Sequence, residues 1–192
     1  MPAEPRTAQP GDICILLEPG ADDLPHLRRL QADLQAVYGG RPHDPVHLTC
    51  QRFDDPGSQV SRVIQELRQR LTGLPPIPIR AAAVKTVDHS FWRTRLLRWK
   101  IEVTDDLRRL LAQIEAGLQA AGVQPHYPLG QGWVPTLVTA LEDVDGAVHL
   151  PGPNPAPQFL FTARTASVSQ ITGWREFNVL ERIPLRGHPA DQ

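Results

Sequence analysis

The chain has 192 residues, 41% apolar and 21% charged, with a formal net charge of −1 and an isoelectric point near 6.6. That is long enough to bury a real core, and it offers no global basic field, so duplex DNA is not an expected partner and any nucleic-acid contact must come from a local patch. No stretch approaches the roughly 18 consecutive apolar residues of a membrane span, and "MPAEPRTAQPGD" lacks the apolar segment of a signal peptide, which leads us to expect a cytoplasmic protein with no membrane partner.

Residues 1–11, rich in Pro and polar types, read as a loose arm. Residues 12–186 then read as one domain or two compact lobes, and 187–192 as a tail. "DICILLEPG" is a short apolar run closed by Pro19 and Gly20, a buried strand. Asp22 or Asp23 is placed to cap a helix whose Leu24, Leu27, Leu30, Leu34 and Val37 form one stripe, ended by Gly39 and Gly40. "PVHLTCQRF" is the next strand; Ser58 then caps a helix with Val60, Val63, Ile64, Leu67 and Leu71 at helical spacing. "IPIRAAAVKTV" and "FWRTRLLRWKIEV" read as a hairpin joined near "DHS". Thr104 caps a third helix, with Asp105 and Asp106 in its first turn and Leu107, Leu110, Leu111, Ile114 and Leu118 on its core face.

"GWVPTLVTAL" is a further strand, interrupted around Pro135. The glycines and prolines between Glu142 and Gln158 exclude a long helix there, and "QFLFTARTASVSQI" and "EFNVLERIPL" close the chain as two antiparallel strands turning at "TGW". Helices and strands alternate only in part, which argues for an α+β fold with antiparallel sheets rather than a doubly wound parallel one. Cys14 and Cys50 fall in strand-like runs, as buried reduced thiols do. Arginine outnumbers lysine 18 to 2, a bias that reads as genomic rather than functional.

In "DPVHLTCQRF", His47 and Thr49 stand two apart, the spacing that puts both on one face of a strand. With "HLT" after the first helix, the strand pair leading into "LLRWKIEV" and the third helix, and the closing "FNVLERIPL", the chain resembles the 2H phosphoesterase superfamily. That group contains the 2′-5′ RNA ligase-like proteins and RNA 2′,3′-cyclic phosphodiesterases. The resemblance runs from about Ile13 to Leu185. It implies two similar lobes facing a cleft, each supplying an H-x-T motif from a central strand, and a partner that is an RNA terminus or a small nucleotide phosphodiester.

The chemistry explains the motif. One imidazole takes a proton from attacking water while a second gives one to the departing sugar oxygen, and the threonine hydroxyls donate to the phosphate's free oxygens. His47 is then the surviving acid/base and Thr49 a phosphate donor. The resemblance implies no metal or other cofactor. His43, His47 and Cys50 make a metal set only on paper, because a strand and its preceding loop do not point all three inward.

The second motif departs from the family pattern. "GWVPTLVTAL" has no histidine, and three registers are open: Thr136 and Val138, Leu137 and Thr139, or Val134 and Thr136 in the histidine and threonine places. Thr136 and Thr139 are therefore both candidate phosphate donors. Replacement acid/base groups are His126, His89 and His149. Arg93 and Arg95 lie on one parity of "FWRTRLLRWK", with Arg98 and Lys100 on the other, so either pair can face the cleft. Arg93 and Arg95, with Trp133 and His126, are the expected substrate contacts. Trp92, Trp99, Trp133 and Trp174 are candidate base-stacking surfaces, of which at least two belong to the core. With one motif intact, impaired hydrolysis and binding without turnover both remain as readings, and a purely interaction-based role on the same scaffold is a third.

Overall fold

The computed structural model describes residues 8–54, 59–89, 91–126, 137–144 and 158–187. Eight strands and three helices occur among them: β1 (Ile13–Pro19), α1 (Leu24–Tyr38), β2 (Arg41–Pro42), β3 (Leu48–Phe53), α2 (Val60–Leu71), β4 (Ile77–His89), β5 (Thr94–Ile101), α3 (Asp105–Ala120), β6 (Leu137–Glu142), β7 (Gln158–Gly173) and β8 (Glu176–Pro184). The fold is α+β with all strand pairing antiparallel, as the element order suggests. The strands join in one sheet, β1-β3-β6-β5-β4-β7-β8, with β2 on β6, and the long β7 also pairs with β1, so the path closes on itself. None of the described helices is long and apolar enough to cross a membrane.

The helix stripes read from the sequence are the faces that pack on the core, except that Val37, at the end of the α1 stripe, is 71% exposed. Leu27 of α1, Val63, Leu67 and Leu71 of α2, and Leu107, Leu110, Leu111, Ile114 and Leu118 of α3 meet Ile13, Ile15, Leu17, Leu48, Phe53, Leu97, Trp99 and Val138 of the sheet. Each such side chain contributes on the order of 1.5–3 kcal/mol on leaving water. Gly117 lets α3 close on α2, since a Cβ there would stand 2.9 Å from the Leu67 side chain. Cys14 and Cys50 are buried and free, and burial pushes the Cys14 thiol up to about 12.

Thr104 caps α3 as expected, its hydroxyl accepting the Leu107 N–H at 3.3 Å. Asp23 does not cap α1. A 3-10 turn, Ala21–Asp23, leads into the helix, and the Asp23 carboxylate instead accepts the Thr162 N–H of β7 at 3.0 Å. Tertiary demand therefore outcompetes the local cap. Ser58 lies outside the described residues, as does Val134–Thr136 of the expected sixth strand, which is described from Leu137. β3 opens at Leu48, so His47 stands immediately before the strand rather than in it, following Pro45, which has no N–H to donate to a ladder. Backbone hydrogen bonds also reach Gln9 at one end and Gly187 at the other.

The unit β1-α1-β3 recurs as β5-α3-β6. Cys14, Ile15, Leu16 and Leu17 pair with Arg52, Gln51, Thr49 and Leu48. In the same order, Leu96, Leu97, Arg98 and Trp99 pair with Glu142, Leu141, Thr139 and Val138. Both ladders skip one residue at the same step, Cys50 in β3 and Ala140 in β6. The inner strands then pair with each other at Leu48↔Val138. A two-fold axis through that pair exchanges the halves, and carries His47 onto Leu137 and Thr49 onto Thr139.

Candidate functional site

The helices cover one face of the sheet, and the candidate site lies on the other. Thr49 pairs with Leu16, which with Cys14, Ile171 and Phe177 packs on that helix-free face. The bulges matter here. Because Cys50 and Ala140 are skipped, Thr49 and Arg52 share the face despite being three apart, as do Thr139 and Glu142.

His47 is held by its own segment. The Pro45 carbonyl lies 2.8 Å from Nδ1; a carbonyl can only accept, so Nδ1 carries the proton and Nε2 presents a lone pair. The ring stands edge-on to Phe177, with centroids 5.0 Å apart, and 6.1 Å from the ring of His43. Burial pushes its pKa below 6.5 and the Arg98 charge pushes in the same direction, against the Pro45 bond. At neutral pH the imidazole is therefore uncharged and able to accept a proton.

Continuing the Leu48↔Val138 register by one residue sets His47 beside Thr139 and Thr49 beside Leu137. Thr139 pairs with Arg98 of β5, and Arg98 in turn with Lys85 of β4. Leu137 pairs with Lys100. The Arg98 charge adds to burial in depressing the pKa values of His43, His47 and His89 alike. Of the three registers open in the sequence, the two-fold selects one: Leu137 stands where His47 stands in the other half, and Thr139 where Thr49 does.

A buried carboxylate borders this row. Glu142, 1% exposed, accepts from Trp174 Nε1 at 2.9 Å, pairs with Arg175 Nη1 at 2.8 Å and Arg41 Nη2 at 3.5 Å, and lies 3.8 Å from His43 Nδ1. His43 is itself buried, and burial lowers its pKa to about 3, helped by His47, Arg175 and Arg98. Trp174 also meets His43, His89 and Trp92, with centroids 5.3–5.8 Å apart, and Trp92 meets the exposed Phe91. Arg93, Asp143 and Arg175, the non-glycine residues with positive φ among those described, all sit at this corner. Such strained backbone persists where surrounding contacts over-determine it. On the other side of His47 a cavity of about 320 Å³ is lined by Leu16, Glu18, Asp44, Phe177, Arg175 and Arg182 among others.

The remaining expected residues divide. Thr136, Trp133 and His149 lie outside the described residues. His126 accepts at Nδ1 from Arg52 Nε, 3.1 Å, and pairs through Nε2 with Asp54, 3.2 Å, in a network that Arg52 extends to Asp12 at the end of β3 away from His47. Arg93 is an exposed turn residue, and Arg95 is tied to Asp88 at 2.6 Å on the parity of Leu97 and Trp99. On the β4–β5 hairpin it is Arg98, Lys85 and Lys100, not Arg95, that lie on the His47 face. Trp99 belongs to the core, while Trp92 and Trp174 meet at the corner. No group of three potential metal ligands occurs among the described residues. Glu142, Arg175 and His43 as a site residue were missed in the sequence; only the pseudo-symmetric bulge brings Glu142 to this face.

No family model matches the sequence, and no curated protein matches it. Solved structures do resemble it. A Thermus thermophilus protein, TT0787, superposes with a TM-score of 0.62 at 19% identity, covering 92% of this chain and 98% of that one. Escherichia coli LigT, solved with ATP, gives 0.59 at 16% identity over 93% and 99%. Kluyveromyces marxianus Usb1 gives 0.55 at 10% identity over 92% and 99%. A further structure, described as a phosphoesterase, gives 0.59 at 16% identity over 93% and 99%. At these identities the likeness is one of architecture, and it agrees with the internal two-fold found in the strand registers: this chain has the 2H phosphoesterase fold.

Proposed function

We propose that the protein binds an RNA terminus or a small nucleotide phosphodiester across the β3–β6 pair and hydrolyses it with His47 as base. What supports this is the strand register: Leu48 pairs with Val138, and continuing that register runs His47 and Thr49 alongside Thr139, which pairs with Arg98. Water at the phosphorus gives its proton to Nε2 of His47; the Thr49 and Thr139 hydroxyls donate to the phosphate's free oxygens, and the Arg98 charge balances them. Trp92 and Trp174 offer a base an aromatic surface at the adjoining corner. The nucleotide complexes of LigT, with ATP, NADP+ and 3′-AMP, support a ligand of this chemical class.

The test is hydrolysis of 2′,3′-cyclic nucleotides by wild type and His47→Ala. A positioned base is worth about 10²–10⁴-fold, and the variant is expected to lose that much. Equal product from both removes His47 from the mechanism. Leu137 in the second histidine's place favours a second reading, a nucleotide- or RNA-binding protein without turnover. Saturable binding of 3′-AMP with no hydrolysis at high protein concentration selects it.

A further inference from the structure

Of the twenty Lys and Arg residues in the sequence, two are lysines, Lys85 and Lys100. Both lie on the β4–β5 hairpin, on the face that carries His47, and they flank Arg98: Lys85 is its registered partner on β4, and Lys100 is two residues farther along β5. Both side chains are exposed, and neither enters an ion pair among the described residues. Lys100 is the registered cross-strand neighbour of Leu137, the residue the two-fold places opposite His47. Such neighbours have Cβ atoms about 5 Å apart on the same face. The pseudo-equivalent residue of the first half is Glu18, so the cation is particular to the half that lacks a histidine.

The difference between lysine and arginine decides what this placement can do. A guanidinium holds its proton, whereas an ammonium is protonated at neutral pH and can give its proton up. Two strand spacings and two residues of rise separate Lys100 from His47, about 12 Å between Cα atoms. An imidazole from one side and a four-carbon stem from the other can close that gap around a phosphate.

We propose that Lys100 is the proton donor to the departing ribose oxygen, in place of the absent second histidine. This inference rests on the reading of His47 as base. The water oxygen bonds to phosphorus while its proton passes to His47 Nε2. The bond from phosphorus to the ribose oxygen breaks, its electron pair stays on that oxygen, and the oxygen takes a proton from Lys100 Nζ. Solvent returns the proton from His47 to Lys100, so water and a cyclic phosphate become a nucleoside monophosphate with nothing left over.

The experiment compares two leaving groups: the alkoxide of a 2′,3′-cyclic nucleotide, which needs a proton, and the nitrophenolate of a nucleoside p-nitrophenyl phosphodiester, which does not. Lys100→Ala is expected to lower kcat/KM for the cyclic substrate by about 10²-fold and for the nitrophenyl ester by less than about threefold, the latter also reporting that the site is folded. Lys100→Arg keeps the charge without a transferable proton and is expected to match Lys100→Ala on the cyclic substrate. Leu137→His in the Lys100→Ala background is expected to recover at least about tenfold. Wild-type activity in Lys100→Arg, or an equal loss on both substrates in Lys100→Ala, overturns the proton-donor role while leaving His47 in place. A wild type inert to both substrates overturns the reading of His47 and this inference with it.

Discussion

Glu142 is the buried charge on which the corner beside the site is built, and its replacement can be worked through contact by contact. In Glu142→Gln the amide oxygen still accepts from Trp174 Nε1, so the loss is the charge facing Arg175 and Arg41. Breaking a fully buried pair costs about 3–5 kcal/mol because a charge is stranded. Here the Arg175 and Arg41 side chains are 32% and 65% exposed and can turn to water, and Arg41 keeps Asp143. The expected cost is therefore about 1–2 kcal/mol, the worth of a charge-assisted bond. Glu142→Ala also strands the Trp174 N–H, at about 1 kcal/mol, and removes one buried methylene at about 0.8 kcal/mol, which brings it to about 3–4 kcal/mol. Urea unfolding followed by tryptophan fluorescence measures both, with an unchanged slope showing that the end states are the same. Glutamine as costly as alanine, or both within about 0.5 kcal/mol of wild type, would refute this account of the corner.

Burial holds the pKa of His43 at about 3 against an ordinary 6.5, so below pH 6.5 the unfolded chain carries the extra proton and stability falls with pH by about 1.4 kcal/mol per unit. His43→Gln should make the loss between pH 7 and 5 about 2 kcal/mol smaller in urea unfolding at the two pH values; an unchanged loss contradicts the assignment. Because the Arg98 charge adds to burial in lowering the His47 pKa, Arg98→Met should move the acid limb of activity to higher pH, and a pH profile with no such move would place Arg98 away from the ring. Gly40 has φ +76°, and a Cβ there would stand 2.6 Å from the Glu142 carbonyl oxygen, whereas Gly122, at +75°, has nothing within 4 Å. Gly40→Ala should therefore cost well over the roughly 1 kcal/mol of Gly122→Ala in the same unfolding assay, and equal costs would contradict the packing.

The helices and most strands were legible because their signals are local: apolar stripes at helical spacing, a threonine before two aspartates at α3, glycines and prolines between elements. What escaped depends on contacts distant in sequence. Asp23 looks like a cap, but a β7 amide takes its carboxylate. Strict alternation puts Glu142 on the core side of β6, away from Thr139, and only the bulge at Ala140, repeated at Cys50, turns it to the site. The same matched bulges resolved the second motif, where proline spacing alone left three registers open. Arg95 and Arg98 were equivalent as sequence, since the parity of β5 is set by which side the helices cover. The two lysines were visible as a count, but their meaning lay in the hairpin that brings both beside Arg98.

The most direct test of a phosphate site straddling the β3–β6 pair is a crystal structure with a nucleoside 3′-monophosphate bound. The predicted result is a phosphate within hydrogen-bonding distance of His47 Nε2 and of the Thr49 and Thr139 hydroxyls, on the face shared with Arg98. A phosphate bound away from both threonines would contradict the account.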